Sequence, residues 1–390
     1  MAKRIALVCV FATCLIAVPA WAQDTRTQMI EQQIEEKARE LRPPEREKGD
    51  QWITRFEKIF TPEPPAIRPT FGNFRQGAGF AGGAAFDMPL MKTGLWTTQG
   101  AWSVNNFKQG QSTMQFPSLL SGKFCVVADG RWNDAPDLRF FGLGNNSVQD
   151  NQVSYHLQWV NAGINMNASA PRWLRLAAGA AYLGAHSEND NRLVFVSENV
   201  PGTEARLKWI DVKASAAIDT RESPGYSRHG AYYGATFDRY QDPDGNSSFD
   251  RTELDARQFI PILHENWIVA LQGRAELTKV APSQTVPYFM LPYIGGRESL
   301  PGFEAYRFTD KDSLLFRSEL RWPASPLLDM AVFYGKGKVA GKVGDLDLHH
   351  LHGNVGFGAR FHGPVFTALR LEVAHGNEGW HLIVAQSISF

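Results

Sequence analysis

Cysteine is scarce in this chain. Of 390 residues three are cysteine, and Cys9 and Cys14 fall in an N-terminal stretch that reads as a cleaved leader. Cys125 is then alone in the mature chain, which excludes an intrachain disulfide framework. Net charge is also missing: 40 basic residues balance 40 acidic ones, so no field draws the chain to nucleic acid. Beyond the leader no apolar run is long enough for a membrane helix. That excludes helical spans and nothing else, because membrane-barrel strands carry their apolar residues in alternation. A catalytic constellation is the last absence. Gly225-Tyr226-Ser227-Arg228-His229 fails as a nucleophile elbow, since its second glycine comes one residue late. Cys125 has no histidine near it in sequence, and Lys336, Lys338 and Lys342 lack phosphate-loop spacing. The chain therefore reads as a non-enzyme with no cofactor.

Two segments carry metal-ligand side chains. Asp242, Asp244, Asn246, Ser248 and Asp250, with Glu253 beyond, approach calcium-loop spacing, but the glycine is misplaced and no helices flank it. A hydrated hairpin tip is the reading taken. His349, His350 and His352 with Asp345 and Asp347 read as a polar loop rather than a metal centre. No metal site is expected.

What is present is a leader, an arm and a long alternating region. Residues 1–22 read as a signal peptide: Lys3 and Arg4, an apolar stretch from Ile5 to Val18, then Ala20-Trp21-Ala22. Residues 23–66 are charged and built of helix formers. Pro43-Pro44 divides them, and Trp52, Phe56 and Phe60 recur at helical spacing. They read as a short helical periplasmic arm, a candidate surface for a periplasmic partner and too short to hold its own core. From residue 67 to 390 the period is two. Leu314, Phe316, Leu320 and Trp322 share a face with Ser318, while Arg317, Glu319 and Arg321 take the other. Leu369, Leu371 and Val373 oppose Arg370 and Glu372. A soluble sheet would turn the charges to water, and a membrane barrel would turn them to a wet lumen.

The leader and the last strand decide between these. Trp380, Leu382, Val384 and Ile388 share a face with the terminal Phe390, which resembles the assembly signal of outer-membrane barrels. The fold class is all-β: a transmembrane antiparallel β-barrel, with about fourteen strands drawn from alternation. Gly77 to Phe86 is taken as the first strand. Short connections (Pro261 to Glu265, Pro323 to Pro326) alternate with long ones (Asp134 to Asn151, Ala185 to Glu204, Lys336 to His352). Such alternation sets a periplasmic end apart from an external one.

One long connection, between the strands on either side of Pro287 to Asp312, has no period and is rich in glycine, proline and aromatics. Loops of that length between strands are usually functional. Ile294-Gly295-Gly296, Leu300-Pro301-Gly302-Phe303 and Tyr306-Arg307-Phe308 with Asp310 stand in this order. Together they resemble the signature loop of the BamA/TamA-type outer-membrane barrels, the bacterial surface antigen family. Arg139-Phe140-Phe141-Gly142-Leu143-Gly144-Asn145 is similar to that family's F-x-G-x-G-N loop. Asp219-Thr220-Arg221-Glu222 with Gly230 is similar to its D-T-R-D turn, and Leu315 to Trp322 to its E-Y-R strand.

The resemblance covers residues about 75 to 390. It implies sixteen strands, which places the missing pair before Cys125. The family usually carries periplasmic POTRA domains, and the segment before this barrel is too short for even one, so the chain reads as a short member without them, working at the cell outer membrane among its lipids. The implied work is inserting or translocating polypeptide, or lipid, with outer-membrane proteins as clients. The alternative is a passive pore or structural surface antigen. The family carries arginine before Gly-Phe in the signature loop, reaching a strand carboxylate in the lumen. Here that position is Pro301, which leaves Arg297 or Arg307 for the role and Glu319 as partner. Leu300 to Asp310 is expected inside the lumen, because Phe303, Tyr306 and Phe308 would be costly in water.

Overall fold

The structure is a computed structural model, and it describes residues 64–72, 74–119, 122–169, 171–189, 206–263, 266–325, 327–362 and 367–386. The signal peptide, nearly all of the arm and Phe390 lie outside the described residues. In chain order the strands are β1 (Ala66–Gly72), β2 (Ala81–Leu90), β3 (Gly94–Ser103), β4 (Lys108–Leu119), β5 (Phe124–Phe140), β6 (Val153–Ala168), β7 (Leu174–Asn189), β8 (Arg206–Asp219), β9 (Gly230–Gln241), β10 (Phe249–Ile262), β11 (Trp267–Val280), β12 (Tyr293–Ile294), β13 (Phe308–Thr309), β14 (Asp312–Ser325), β15 (Leu328–Ala340), β16 (His352–His362), β17 (Thr367–Gly376) and β18 (Gly379–Ala385). All but β12 and β13 join one sixteen-stranded antiparallel sheet in sequence order. β12 and β13 form a ribbon of their own inside the long loop.

Burial decides between the two arrangements left open by alternation. Leu382, Val384 and Phe357 point outward at 75%, 54% and 54% exposure, whereas Arg321, Arg360, Arg370, Glu319 and Glu372 are all buried. A soluble sandwich buries the opposite set. With apolar residues outside and charges inside, the sheet is a membrane barrel.

The strand pair missing from alternation is β1 and β4, both before Cys125. The expected first strand, Gly77 to Phe86, is corrected. Its first four residues are part of a loop, and β2 begins only at Ala81. Gly77 and Gly79 take φ of +83° and +72°, a conformation suited to glycine. They turn Ala78 into the interior, where it is fully buried. All three long connections are shorter than expected, since β5 continues to Phe140, β7 to Asn189 and β15 to Ala340.

The ends of the sheet meet at an uneven seam. A Cβ built on Gly72 would stand 2.3 Å from Gln386 Oε1, so the end of β1 lies level with the end of β18. Successive strands alternate in direction, so β1 and β18 run antiparallel. Residues Gly379 to Ala385 therefore lie beyond the end of β1. There the chain after β1 turns inward: Phe74 packs against an apolar cluster and Gln76 is buried. Among the described residues β18 has a ladder partner only in β17.

Both ends of the lumen are occupied. At the long-loop end, Leu138, Phe140, Tyr155, Trp209, Val286 and Tyr288 form part of one buried apolar cluster. At the short-loop end, the ten-residue β8–β9 connection folds inward. Its Tyr226 stacks on His362 with centroids 4.0 Å apart, and Thr367 donates to Gly225 O. Gly230 (φ +96°) lets this segment rejoin the wall, where a Cβ would meet Thr220 O at 2.4 Å.

Candidate functional site: the lumen loop and its anchors

Residues 281–311 leave β11, fill the upper lumen and return to β14. The loop holds its shape through local bonds. Gly295 and Gly296 adopt φ of +115° and +84°. Gly296 N donates to both Leu300 O and Phe303 O, at 3.1 and 3.0 Å. Ser299 Oγ accepts from Gly295 N at 2.8 Å. A side chain at Gly295 would strike Glu304 O at 2.4 Å.

Leu300, Phe303 and Phe308 are buried with Ile294, Leu315 and Val339 in one apolar cluster. Phe308 also stacks flat on His352, with centroids 3.7 Å apart. His352 is thus a packing partner of the loop, and its Nε2 meets Asn145 O at 2.7 Å. Among the described residues no three His, Cys, Asp or Glu side chains gather as for a metal. Tyr306 packs on Tyr293, and Arg75 Nε donates to its hydroxyl at 3.2 Å.

Three regions grip the loop. The segment from Arg139 to Asn145 is the first. Leu143 bridges to Thr309, and Gly144 N donates to Thr309 O at 2.9 Å. Asn145 ties the tops of β15 and β16 together: its Oδ1 accepts from Val339 N, and its Nδ2 donates to His350 O. The second grip is a close approach of backbones. Gly302 lies so near β17 that a Cβ there would stand 2.7 Å from Gly376 N and 2.8 Å from His375 C.

The third grip is Arg307, only 3% exposed. Its Nε donates to Glu378 Oε1 and Oε2 at 2.8 and 2.9 Å, and Nη2 lies 2.7 Å from Oε1. Nη1 donates to Ser147 Oγ and Nη2 to Ser147 O, at 2.9 and 2.8 Å. Its guanidinium also lies 4.4 Å from the Phe308 ring centroid. Glu378 sits in the two-residue turn between β17 and β18. Arg307 therefore ties the lumen loop to the tip of the last hairpin.

This corrects the expected pairing of Arg307 with Glu319. Glu319 is fully buried between strand arginines. Arg360 donates to it through Nη2 at 2.7 Å, and Arg321 donates through Nε. Arg360 continues the network to Glu372 at 2.5 Å, with Arg370 Nε a further 3.5 Å from that carboxylate. Arg317 donates twice to Gln272, which donates to Asp255 at 3.0 Å. The loop meets this network through its backbone: Arg370 Nη2 donates to Arg297 O at 3.1 Å. Pro301 lines a small cavity of about 20 Å³ beside Arg317, Glu319 and Glu372. Pro301 brings no charge to Glu319, and the strand arginines neutralise it instead. Such buried charges are tolerated when each is paired and hydrogen-bonded.

Sequence reasoning missed Glu378, Ser147 and Arg360, and it placed Arg321 on the charged face without pairing it to Glu319. Arg360 was within reach: it shares the inward phase of β16 and stands opposite Arg370 in register. Glu378 lies in a turn and has no phase.

Among the loop carboxylates outside the strands, Asp310 and Asp242 are shifted in opposite directions. Burial raises Asp310, against a bond from Lys311 N and the charge of Lys311. Burial also acts to raise Asp242. Bonds from the backbone N–H groups of Asp244, Asn246 and Ser247 outweigh it and hold Asp242 below the usual carboxylate range. Asp242 is thus spent on its own hairpin tip. In the D-T-R-E turn Arg221 donates to Asp219 through Nε and Nη2, at 2.9 and 3.0 Å.

Residues 129–376 match the Omp85 superfamily domain. A search of curated protein sequences gives no match. Among solved structures, the chain is similar to BamA from Haemophilus ducreyi lacking POTRA domains 1–3. The identity is 14% and the TM-score 0.64, over 82% of this chain and 68% of that one. It is also similar to CdiB from Escherichia coli, with 14% identity and a TM-score of 0.56 over 83% of this chain and 62% of that one. CdiB from Acinetobacter baumannii matches at 14% identity and a TM-score of 0.51, over 81% of this chain and 57% of that one. The chain spans less than two thirds of either CdiB. At these identities the likeness is one of fold.

Proposed function

This chain belongs to the Omp85 superfamily, and from that premise we propose that it inserts or translocates polypeptide, or lipid, at the outer membrane. As an Omp85-type barrel it is an outer-membrane protein. In this reading residues 1–22 are the signal that exports it, residues 23–66 a periplasmic arm, and the work involves no enzymatic step.

The observation that carries the reading is the seam. A closed barrel has no edge, whereas β18 offers seven residues beyond the end of β1. Unpaired backbone groups facing hydrocarbon cost several kcal/mol each on the order-of-magnitude scale of apolar transfer. An extended segment arriving there would satisfy them, so the seam favours receiving a strand. The lumen loop holds the far end of that edge through Arg307 and Gly302, which fits a gate strand under control. The filling of both lumen mouths argues against a passive pore.

Depletion followed by an inventory of the outer membrane tests the function. The expected result is a fall in other barrel proteins or a changed lipid distribution. Changed small-solute permeability with an unaltered inventory would favour the passive pore instead.

A further inference from the structure

Under the lumen loop, a cavity of about 20 Å³ lies against the inner faces of β14 to β17. Arg297, Arg317 and Arg370 line it together with Glu319, Glu372 and Asn354. It shares Arg297 and Pro301 with a larger cavity, of about 410 Å³, beside β18. That neighbour offers a small ion a way in.

The charges around the small cavity do not cancel. Arg317, Arg321, Arg360 and Arg370 surround two carboxylates, Glu319 and Glu372. Two positive charges are left over. The neighbouring charges pair among themselves and do not remove this surplus. Arg297 lies 3.6 Å from Glu298, Arg228 lies 3.9 Å from Asp329, and Arg257 meets Asp255. Donors are in surplus too, since the buried Arg360 Nη1 and Arg370 Nε make no hydrogen bond among the described residues. Uncompensated charge in a buried network is costly, so this one calls for an anion.

We infer that the cavity is a halide site, taking one chloride ion against Arg317 and Arg370. Its size gives room for about one guest of the dimensions of a water molecule. That suits a monatomic ion and excludes phosphate or sulfate. A water molecule would leave the surplus standing, and a cation would add to it. Chloride cancels half of the surplus close to where Arg370 donates to Arg297 O, so the ion also helps to seat the lumen loop.

The site does not depend on the proposed function, since a barrel with no insertion activity would still hold the ion. The test uses the full mature chain folded in detergent, in sodium chloride or sodium gluconate at the same ionic strength, so that screening is equal. The urea midpoint of the folded, heat-modifiable gel band is read against halide concentration. Chloride should raise the midpoint along a saturating curve. At a fixed urea concentration the ratio of unfolded to folded chain should fall about tenfold at ten times the half-saturating concentration. Bromide should match chloride, and sulfate should do less. General salt effects give the opposite order, with sulfate a strong stabiliser. Asn354→Asp places a fixed carboxylate in the cavity wall and should abolish the response to chloride. Crystals grown in bromide should show an anomalous peak beside Arg317 and Arg370. Equal midpoints in chloride and gluconate, a sulfate-first order, or no anomalous peak in the cavity overturns the proposal. An undiminished response in a folded Asn354→Asp barrel does so as well. The first three readings come from the unmodified protein, so a variant that fails to fold cannot mask them.

Discussion

Breaking the contact between Arg307 and Glu378 should loosen the last hairpin and leave the rest of the barrel intact. Arg307 is almost completely buried and makes three close contacts to one carboxylate, while the Glu378 side chain keeps 16% of its exposure. Removing one partner of a fully buried pair costs about 3–5 kcal/mol. Water at the loop end can partly resolvate Glu378, which brings the expected loss to about 2–3 kcal/mol. Arg307→Ala should then speed hydrogen exchange of the β17–β18 turn and adjoining amides by about 30- to 150-fold. Exchange in β6–β9 should not change. Arg307→Lys should recover little, because one ammonium cannot serve both Glu378 and Ser147 as the guanidinium does. In a double-mutant cycle with Glu378→Ala, the double change should fall short of the sum by about 1.5 kcal/mol or more. Arg307 and Glu319 share no partner, so that pair of changes should add. Additivity within about 0.5 kcal/mol for Arg307 with Glu378 would refute the latch.

Gly302→Ala should undock the lumen loop, since the new methyl meets Gly376 N at 2.7 Å; an overpacked site of this kind loses about 1–3 kcal/mol, read as a lower urea midpoint of the folded gel band. Leu371→Arg, which sets a charge against lipid, should cost about 2–4 kcal/mol and lower the yield of folded barrel. Arg370→Leu should also lower the yield, because Arg370 is buried against Glu372 and Arg297 O; unimpaired folding of both variants would mean that the inside and outside of β17 are misassigned. The Asp242 tip should be pH-sensitive in one direction. Its folded carboxyl titrates below the ordinary aspartate value, so its stabilisation is complete above that value. It is lost as pH falls from about 3.9 through the lower folded value. Hydrogen exchange at Asp244, Asn246 and Ser247 should report the loss, and Asp242→Asn should show it already at pH 7.

The parts of the barrel legible in the sequence follow from alternation. Period two settles which side chains share a face, and the stretches read as a leader and a terminal assembly signal lead to the expectation of lipid rather than water outside, the side on which the structure places the apolar residues. Where period fails, so does the reading. β1 was missed because it is seven residues long and contains a proline. β4 was missed because Gln109, Gln111, Thr113 and Gln115 share their strand with Ser112 and Gly110, so hydropathy barely alternates. The lumen contacts show the same limit at a finer scale. Alternation turns Arg317, Glu319, Arg321, Arg360, Arg370 and Glu372 inward, yet it is silent on which of them meet. That choice depends on the stagger between neighbouring strands and on the depth to which a loop descends. Glu319 meets Arg360 across an intervening strand, 41 positions along the chain. Arg307 rises to a hairpin turn 71 positions away instead of reaching down to the nearest inward carboxylate. The reason lies in the loop's own packing. Phe303 and Phe308 bury themselves at the level of His352 and hold Arg307 beside the turn that carries Glu378. The strand arginines have by then neutralised Glu319. With Pro301 rather than a charged residue beside Glu319, the two tasks are separate: β14 and β16 balance the buried charge, and the loop is left to hold the edge strand.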